Sequence, residues 1–157
     1  MNTANFLLDN LKISIITIVY NREKTIKDTI NSVLNQTYKN IEYIIIDGKS
    51  TDSTLNIVNS YKDKISKIIS EKDDGLYDAL NKGINLATGD IIGFIHSDDF
   101  YIDNFVIEKV ANEFKKNNPD TLFADLVYIK DENKEKIHRY YSAKNFTPNK
   151  LKYGLMP

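Results

Sequence analysis

Apolar residues along this chain follow two rhythms. Unbroken runs rich in β-branched residues come first, as in Lys12 to Tyr20, KISIITIVY. That pattern marks a strand covered on both faces. Between such runs the apolar positions recur three and four residues apart. Ile26, Ile30, Val33 and Leu34 give one stripe on a helix that Asn21 can cap. A second buried strand covers Ile41 to Ile46 and stops at Asp47. Thr51 or Asp52 then caps a helix carrying Leu55, Val58 and Tyr61 inward. A short strand from Ile65 to Ser70 precedes a helix from Tyr77 to Ala87, where Gly83 and Ala87 suggest close packing on a sheet. Gly89 closes that unit. The fourth strand, Ile91 to Ile95, leads into a helix from about Asp103 to Lys116 with Phe105, Val110 and Phe114 as its inner stripe.

Beyond Pro119 the pattern changes. TLFADLVYIK and KIHRYYS flank the polar turn DENKE and read as an antiparallel pair of strands. The alternation of strand and helix before it predicts an α/β fold: a three-layer α/β/α sandwich, Rossmann-like, on a mainly parallel sheet. No repeat or linker interrupts the chain, so a single domain over 1–157 is expected.

Composition narrows the function classes. The 157 residues carry 21 basic and 22 acidic side chains, a formal charge of -1. No overall field would hold nucleic acid, so an anionic ligand must be gripped locally. There is no cysteine, which excludes disulfides and thiolate metal sites. The first ten residues lack a basic n-region, and no run is long and apolar enough for a transmembrane segment. A cytoplasmic protein is expected, free or peripheral at the inner face of the membrane. The oligomeric state is left open.

In open parallel sheets ligands bind outside the carboxyl ends of the strands. Chemically capable residues gather at those ends here: Tyr20 and Asn21; Asp47, Gly48 and Ser50; Asp73, Asp74 and Gly75; His96, Ser97, Asp98 and Asp99. The opposite edge has only ordinary turns. So many carboxylates in one crevice repel by several kcal/mol unless a cation joins them. Mg2+ or Mn2+ suits one or two carboxylates completed by a diphosphate. Asp98 and Asp99 point oppositely in an extended segment, so one is expected on the metal and the other on water or a sugar hydroxyl.

The stretches ISIITIVYNREKTIKDTINSVLNQTYKNIEYIIIDGKSTDST, SEKDDGLYDALNKGINLATGDIIGFIHSDDF and, more weakly, LFADLVYIKDENKEKIHRYY resemble the nucleotide-sugar-binding half of a family 2 glycosyltransferase with the GT-A fold, of the kind that serves bacterial polysaccharide assembly. The resemblance implies inverting transfer of a sugar from a nucleoside diphosphate sugar, UDP-linked in the first instance, to a saccharide or lipid-linked acceptor. It implies that Thr17, Val19 and Tyr20 border the nucleobase, that Asp47 accepts from uracil N3, and that Asp74 and the segment from Gly75 to Lys82 line the donor pocket. Asp98 and Asp99 are then the metal-binding motif, with Asp98 also at the nucleotide. Many relatives have an acid where this chain has His96, so either His96 joins the metal or that ligand is missing. Relatives continue past YGLMP into an acceptor-binding half that supplies the general base. The chain is therefore expected to be the N-terminal part, and within it Asp125 is the nearest, poor candidate for that base.

Plainer readings accompany each residue. Asp47 can cap its own turn through Ser50 or Thr51, Asp74 before Gly75 is an ordinary turn pair, and Tyr20 suits either stacking or core closure. Two rival functions remain: a catalytically silent nucleotide-sugar-binding module, and a phosphoacceptor signalling domain centred on Asp47. The second lacks the acidic pair it needs at the end of the first strand.

Overall fold

The computed structural model describes residues 11–130, 133–147 and 149–150, with the backbone alone for 133–135. Contacts divide the chain into two compact units, Met1–Asn118 and Pro119–Pro157. In the first, β1 (Ile13–Val19), α1 (Ile26–Leu34), β2 (Ile41–Asp47), α2 (Thr54–Asn59), β3 (Lys67–Ser70), α3 (Leu76–Leu86), β4 (Ile91–Phe94) and α4 (Val106–Asn117) alternate along the chain. The strands form one parallel sheet in the order β3-β2-β1-β4. From β1 the chain steps outward to β2 and β3, then crosses to the other side of β1 for β4. The order reverses at β1, which makes its carboxyl end the switch point where such sheets bind ligands.

Alternation along the strands builds two cores. Ile13, Ile15 and Val19 of β1 pack with Tyr43 and Ile45 of β2 against Ile26, Ile30 and Val33 of α1, Val58 of α2, and Ile107 and Ala111 of α4. Ile16 and Ile18 turn the other way, and with Ile44 and Ile46 they meet Ala79 of α3. Helices therefore cover both faces, and the expected three-layer sandwich is borne out. Each isoleucine so enclosed contributes about 1.5–3 kcal/mol. Gly83 lets α3 sit close to the sheet, since a β-carbon there would lie 2.5 Å from Ile16 Cγ2.

Three local expectations are corrected. Asn21 does not cap α1, whose N-cap is Thr25. Its backbone is left-handed, φ 51°, and its side chain is used elsewhere, as described below. Helix α4 starts at Val106, later than expected, so its buried stripe is Ile107 and Ala111 while Phe105 is 53% exposed. The N-cap of α2 is likewise Ser53, not Thr51 or Asp52, although Asp52 Oδ1 accepts the Thr54 N–H at 2.9 Å from one position earlier.

At the amino edge of the sheet lies a buried acid that reads in the sequence as one more strand residue. Register sets Ser14 beside Glu42. The Glu42 carboxylate accepts from Ser14 Oγ at 2.6 Å, Thr88 N at 2.7 Å, Thr88 Oγ1 at 2.8 Å and Lys12 Nζ at 3.2 Å, with Lys67 Nζ 3.5 Å away. Burial alone would raise its pKa, but these donors outweigh burial and bring it from 4.5 down to about 2.

The second unit holds β5 (Leu126–Lys130) and β6 (Asn133–Tyr141), paired antiparallel with Leu126 opposite Tyr141. The antiparallel pair expected after Pro119 is thus present. A short 3-10 turn, Ala143–Asn145, follows.

Candidate functional site

The loops after β1 and β2 are stitched together at the carboxyl edge. Asn21 Oδ1 accepts the Thr51 N–H at 2.8 Å, and Ser50 Oγ accepts the Asn21 N–H at 2.9 Å. Arg22 N donates to Thr54 Oγ1 at 2.7 Å, Glu23 N to Asp52 Oδ2 at 3.2 Å, and Ser53 N to Glu23 Oε2 at 2.9 Å. Both turns are left-handed, at Asn21 and at Lys49 with φ 63°. Holding non-glycine residues there costs about 1–2 kcal/mol each. The stitching makes those turns one rigid rim.

On the other side of β1 the chain leaving β4 is fastened to α1. Thr25 Oγ1 donates to the Ser97 carbonyl and Thr29 Oγ1 to the Asp99 carbonyl, each at 2.8 Å. The Ile95 N–H still pairs with Ile16 at 3.1 Å, so Asp98 and Asp99 emerge a few residues past the sheet. Asp47 ends β2 in register with Val19. Asp47 and the Asp98–Asp99 pair therefore share one edge of the sheet, on the two sides of β1.

The residues expected at the nucleobase separate by depth. Thr17 is wholly buried and shares a 3.1 Å hydrogen bond with the Tyr43 hydroxyl, and Val19 belongs to the core. Tyr20, by contrast, is 57% exposed. Asp47 is also fully enclosed. Its oxygens accept from Ser50 N at 3.1 and 3.3 Å and from Ser70 Oγ at 2.6 Å. In this structure Asp47 fixes the turn that presents Gly48, as the plainer reading allowed.

Of the acids after β3, the structure turns Asp73 inward, not Asp74. A β-carbon on Gly48 would lie 2.9 Å from Asp73 Oδ2 and 3.5 Å from Tyr20 Cδ2. Tyr20, Gly48 and Asp73 thus form one wall, possible only because residue 48 has no side chain. Asp74 is exposed, and its N–H donates to Asp78 Oδ2 at 3.1 Å. Adjacent acids look alike in sequence, and the loop geometry alone distinguishes them.

Lys82 explains where much of the negative charge goes. Its ammonium reaches Asp73 at 2.6 Å, Glu71 at 3.0 Å and Asp78 at 3.0 Å, and donates to the Lys72 carbonyl at 3.1 Å. Hydrogen bonds to Asp73, then Glu71 and Asp78, hold the Lys82 pKa above its ordinary value. The carboxylate crowd splits in two as a result. One part, Glu71, Asp73 and Asp78, shares the Lys82 cation; the other, Asp98 and Asp99, has Arg22 Nε at 3.9 Å from Asp98. The Asp99 N–H closes a turn onto the His96 carbonyl at 3.0 Å. The pKa of Asp99 is raised by desolvation and next by the charge of Asp98, with His96 acting the other way.

Among the described residues no three His, Asp or Glu side chains converge to hold a metal by themselves. Two exposed carboxylates on one turn are a hard-oxygen half-site, which fits a Mg2+ or Mn2+ ion that a diphosphate completes.

The description of glycosyl transferase family 2 matches residues 14–157. The chain belongs to this family. As a family 2 domain it is 35% identical over 154 residues to UDP-Glc:alpha-D-GlcNAc-diphosphoundecaprenol beta-1,3-glucosyltransferase WfaP of Escherichia coli, a match covering 92% of this chain and 55% of WfaP. The chain thus spans about half the length of that relative. Among solved structures it resembles S. aureus TarS 1-349 in complex with UDP-GlcNAc, with TM-score 0.63 and 28% identity over 69% of this chain and 32% of that one. The mannosyltransferase PcManGT from Pyrobaculum calidifontis, in complex with GDP-Man and Mn2+, shares the fold at TM-score 0.62 and 22% identity, covering 77% of this chain and 36% of that one. The expectations of family 2, of a transferase domain and of the GT-A fold are borne out. No helix among the described residues is long and apolar enough to cross a membrane.

Proposed function

We propose that this family 2 chain binds the donor for transfer, with inversion, of a sugar from a UDP-sugar to a lipid-linked or saccharide acceptor in cell-surface polysaccharide assembly. The observation that carries the reading is the rim at the carboxyl ends of β1, β2 and β4, with the Tyr20–Gly48–Asp73 wall on one side and the Asp98–Asp99 turn, with Arg22 beside it, on the other. UDP-GlcNAc bound to TarS, and the UDP-glucose and diphosphoundecaprenol-linked GlcNAc in the name of WfaP, support the substrate classes.

Each residue has a defined task. Tyr20 offers a ring face to the base, and Gly48 leaves its backbone accessible beside it. Lys82 fixes Asp73 so that an acceptor oxygen borders the base, and Asp47 holds the turn beneath from inside. Arg22 supplies positive charge beside Asp98 for the diphosphate. Asp98 and Asp99 would hold Mg2+ or Mn2+, with His96 as the further ligand in reach of the same turn; a bound ion would stabilise the leaving diphosphate as a Lewis acid. Asp125 is committed to Tyr140 and Ala143, so we assign no general base among the described residues.

A thermal-shift panel of UDP, GDP, CDP and dTDP with and without Mn2+ tests this reading. UDP with Mn2+ is expected to give the largest stabilisation, about 2.7 kcal/mol at a hundredfold excess over Kd. Equal shifts from all four nucleotides, or none, refute UDP recognition. Release of free sugar or transfer to an acceptor then separates an enzyme from a silent binder.

A further inference from the structure

Helix α1 and its flanks hold the segment that carries Asp98 and Asp99 at several points along its length. Thr25, the N-cap of α1, donates its hydroxyl to the Ser97 carbonyl, and Thr29 donates to the Asp99 carbonyl, each at 2.8 Å. Beyond α1, Gln36 Nε2 donates to the Asp103 carbonyl at 2.8 Å and Gln36 Oε1 accepts the Ile107 N–H at 3.0 Å. The Thr37 N–H adds a bond to the Asn104 carbonyl at 2.8 Å. Thr29 and Gln36 are fully enclosed, so these bonds are shielded from competing water.

The two threonines suit this work by their spacing. Residues four apart share one face of a helix, about 6 Å from each other along its axis. Carbonyls two residues apart on the neighbouring segment lie within the same reach. A threonine inside a helix often turns its hydroxyl back on a carbonyl one turn earlier. A hydroxyl has one proton to donate, and at Thr29 it goes to a carbonyl 70 residues away in sequence.

These bonds land where they fix the direction of the acids. The Asp99 N–H closes a turn onto the His96 carbonyl at 3.0 Å, so with Thr29 on its carbonyl both backbone polar groups of Asp99 are held. Ser97, on the other side of Asp98, is buried and held at its carbonyl. Asp98 thus lies between two anchored neighbours, while its side chain is more than half exposed. Groups that orient metal ligands from outside the ligand set lower the ordering cost of binding, and their loss typically weakens metal affinity about 10–100-fold.

We propose that Thr29, seconded by Thr25, is a positioning residue for the Asp98–Asp99 turn, its hydroxyl on the Asp99 carbonyl setting the two carboxylates for a divalent cation before the cation arrives. The inference rests on the reading of Asp98 and Asp99 as ligands of that cation. Thr29 is wholly buried and acts through the backbone of the turn.

The test titrates Mn2+ by electron paramagnetic resonance into the full chain with saturating UDP, and UDP by calorimetry without metal. Thr29→Val, which replaces the hydroxyl by a methyl, should weaken Mn2+ binding about tenfold or more and leave metal-free UDP affinity unchanged. Thr29→Ser, which restores the hydroxyl, should recover most of the loss, and Thr25→Val should show a smaller loss. A threonine that only supports the fold would lower the melting temperature and leave the Mn2+ affinity of the folded chain unaltered; that result overturns the proposal. An equal loss in Thr29→Ser, or a matching loss of metal-free UDP affinity, also overturns it. Should Thr29→Val not fold, Thr25→Val at its half-buried position decides by the same criterion, unaltered Mn2+ affinity being the refutation. No Mn2+ uptake by the unsubstituted chain with UDP defeats the ligand assignment itself, whereas normal uptake by every threonine variant defeats the positioning role alone.

Discussion

Replacing Glu42 by Gln separates what holds the sheet from what binds at its other edge. The carboxylate is 6% exposed and collects donors from Ser14, Thr88 and Lys12. Its pKa falls from 4.5 in the ordinary state to about 2 in the fold. Linkage converts that difference into at most about 3.4 kcal/mol, at 1.36 kcal/mol per pH unit. Lys12 and Lys67 are 39% and 34% exposed, and solvent screens their part. About 2 kcal/mol is the working figure. The folded pKa lies below the unfolded one, so this stability is fully present above about pH 4.5 and is lost as pH falls through about 2. Urea denaturation followed by circular dichroism at pH 7, 5, 4 and 3 measures it in both proteins, and subtracting the variant removes the contribution of the other acids. Glu42→Gln should be about 2 kcal/mol less stable at pH 7, and the difference should shrink toward pH 3, with its UDP response intact. A loss below about 0.5 kcal/mol, or a difference that does not change with pH, refutes the assignment.

Three further outcomes follow from particular contacts. Gly83→Ala forces a methyl to within 2.5 Å of Ile16 and should cost about 1–3 kcal/mol by denaturant titration. Gly48→Ala displaces the Asp73 carboxylate; isothermal titration should show UDP binding weakened about tenfold or more, with unaltered affinity removing this wall from the site. Lys82→Met leaves Asp73, Glu71 and Asp78 without their shared cation, so isothermal titration should show UDP affinity reduced, and unaltered affinity would remove Lys82 from the site.

Much of the sheet was legible because β-branched runs between turn residues have few alternatives in a parallel sheet. Helix edges were harder. Asn21 looks like a cap, but its left-handed backbone and its bond to Thr51 depend on a loop thirty residues away in sequence. A helix begun at Asp103 would turn Phe105 inward, whereas α4 begins at Val106 and leaves it exposed. The carboxyl-edge gathering was readable from strand order in the chain, because every parallel strand delivers its last residues to the same edge. What each acid does there was not. Asp73 and Asp74 differ only in which way the turn before Gly75 points them, and the Lys82 cluster draws acids from a loop as well as from its own helix. Thr17 and Asp47 sit at the right strand ends but below the surface, a distinction of depth that a one-dimensional pattern does not carry. Glu42 gains its partners from register with Ser14 and from the turn at Thr88.

The central claim is that Asp98 and Asp99 bind a divalent ion together with the diphosphate of UDP. Mn2+ electron paramagnetic resonance tests it most directly, by the loss of free-ion signal on adding protein with and without UDP. The account predicts strong uptake of Mn2+ when UDP is present, and uptake reduced to that of UDP alone in the Asp98→Asn, Asp99→Asn double variant. Undiminished uptake by that variant, with the fold intact by circular dichroism, would contradict it.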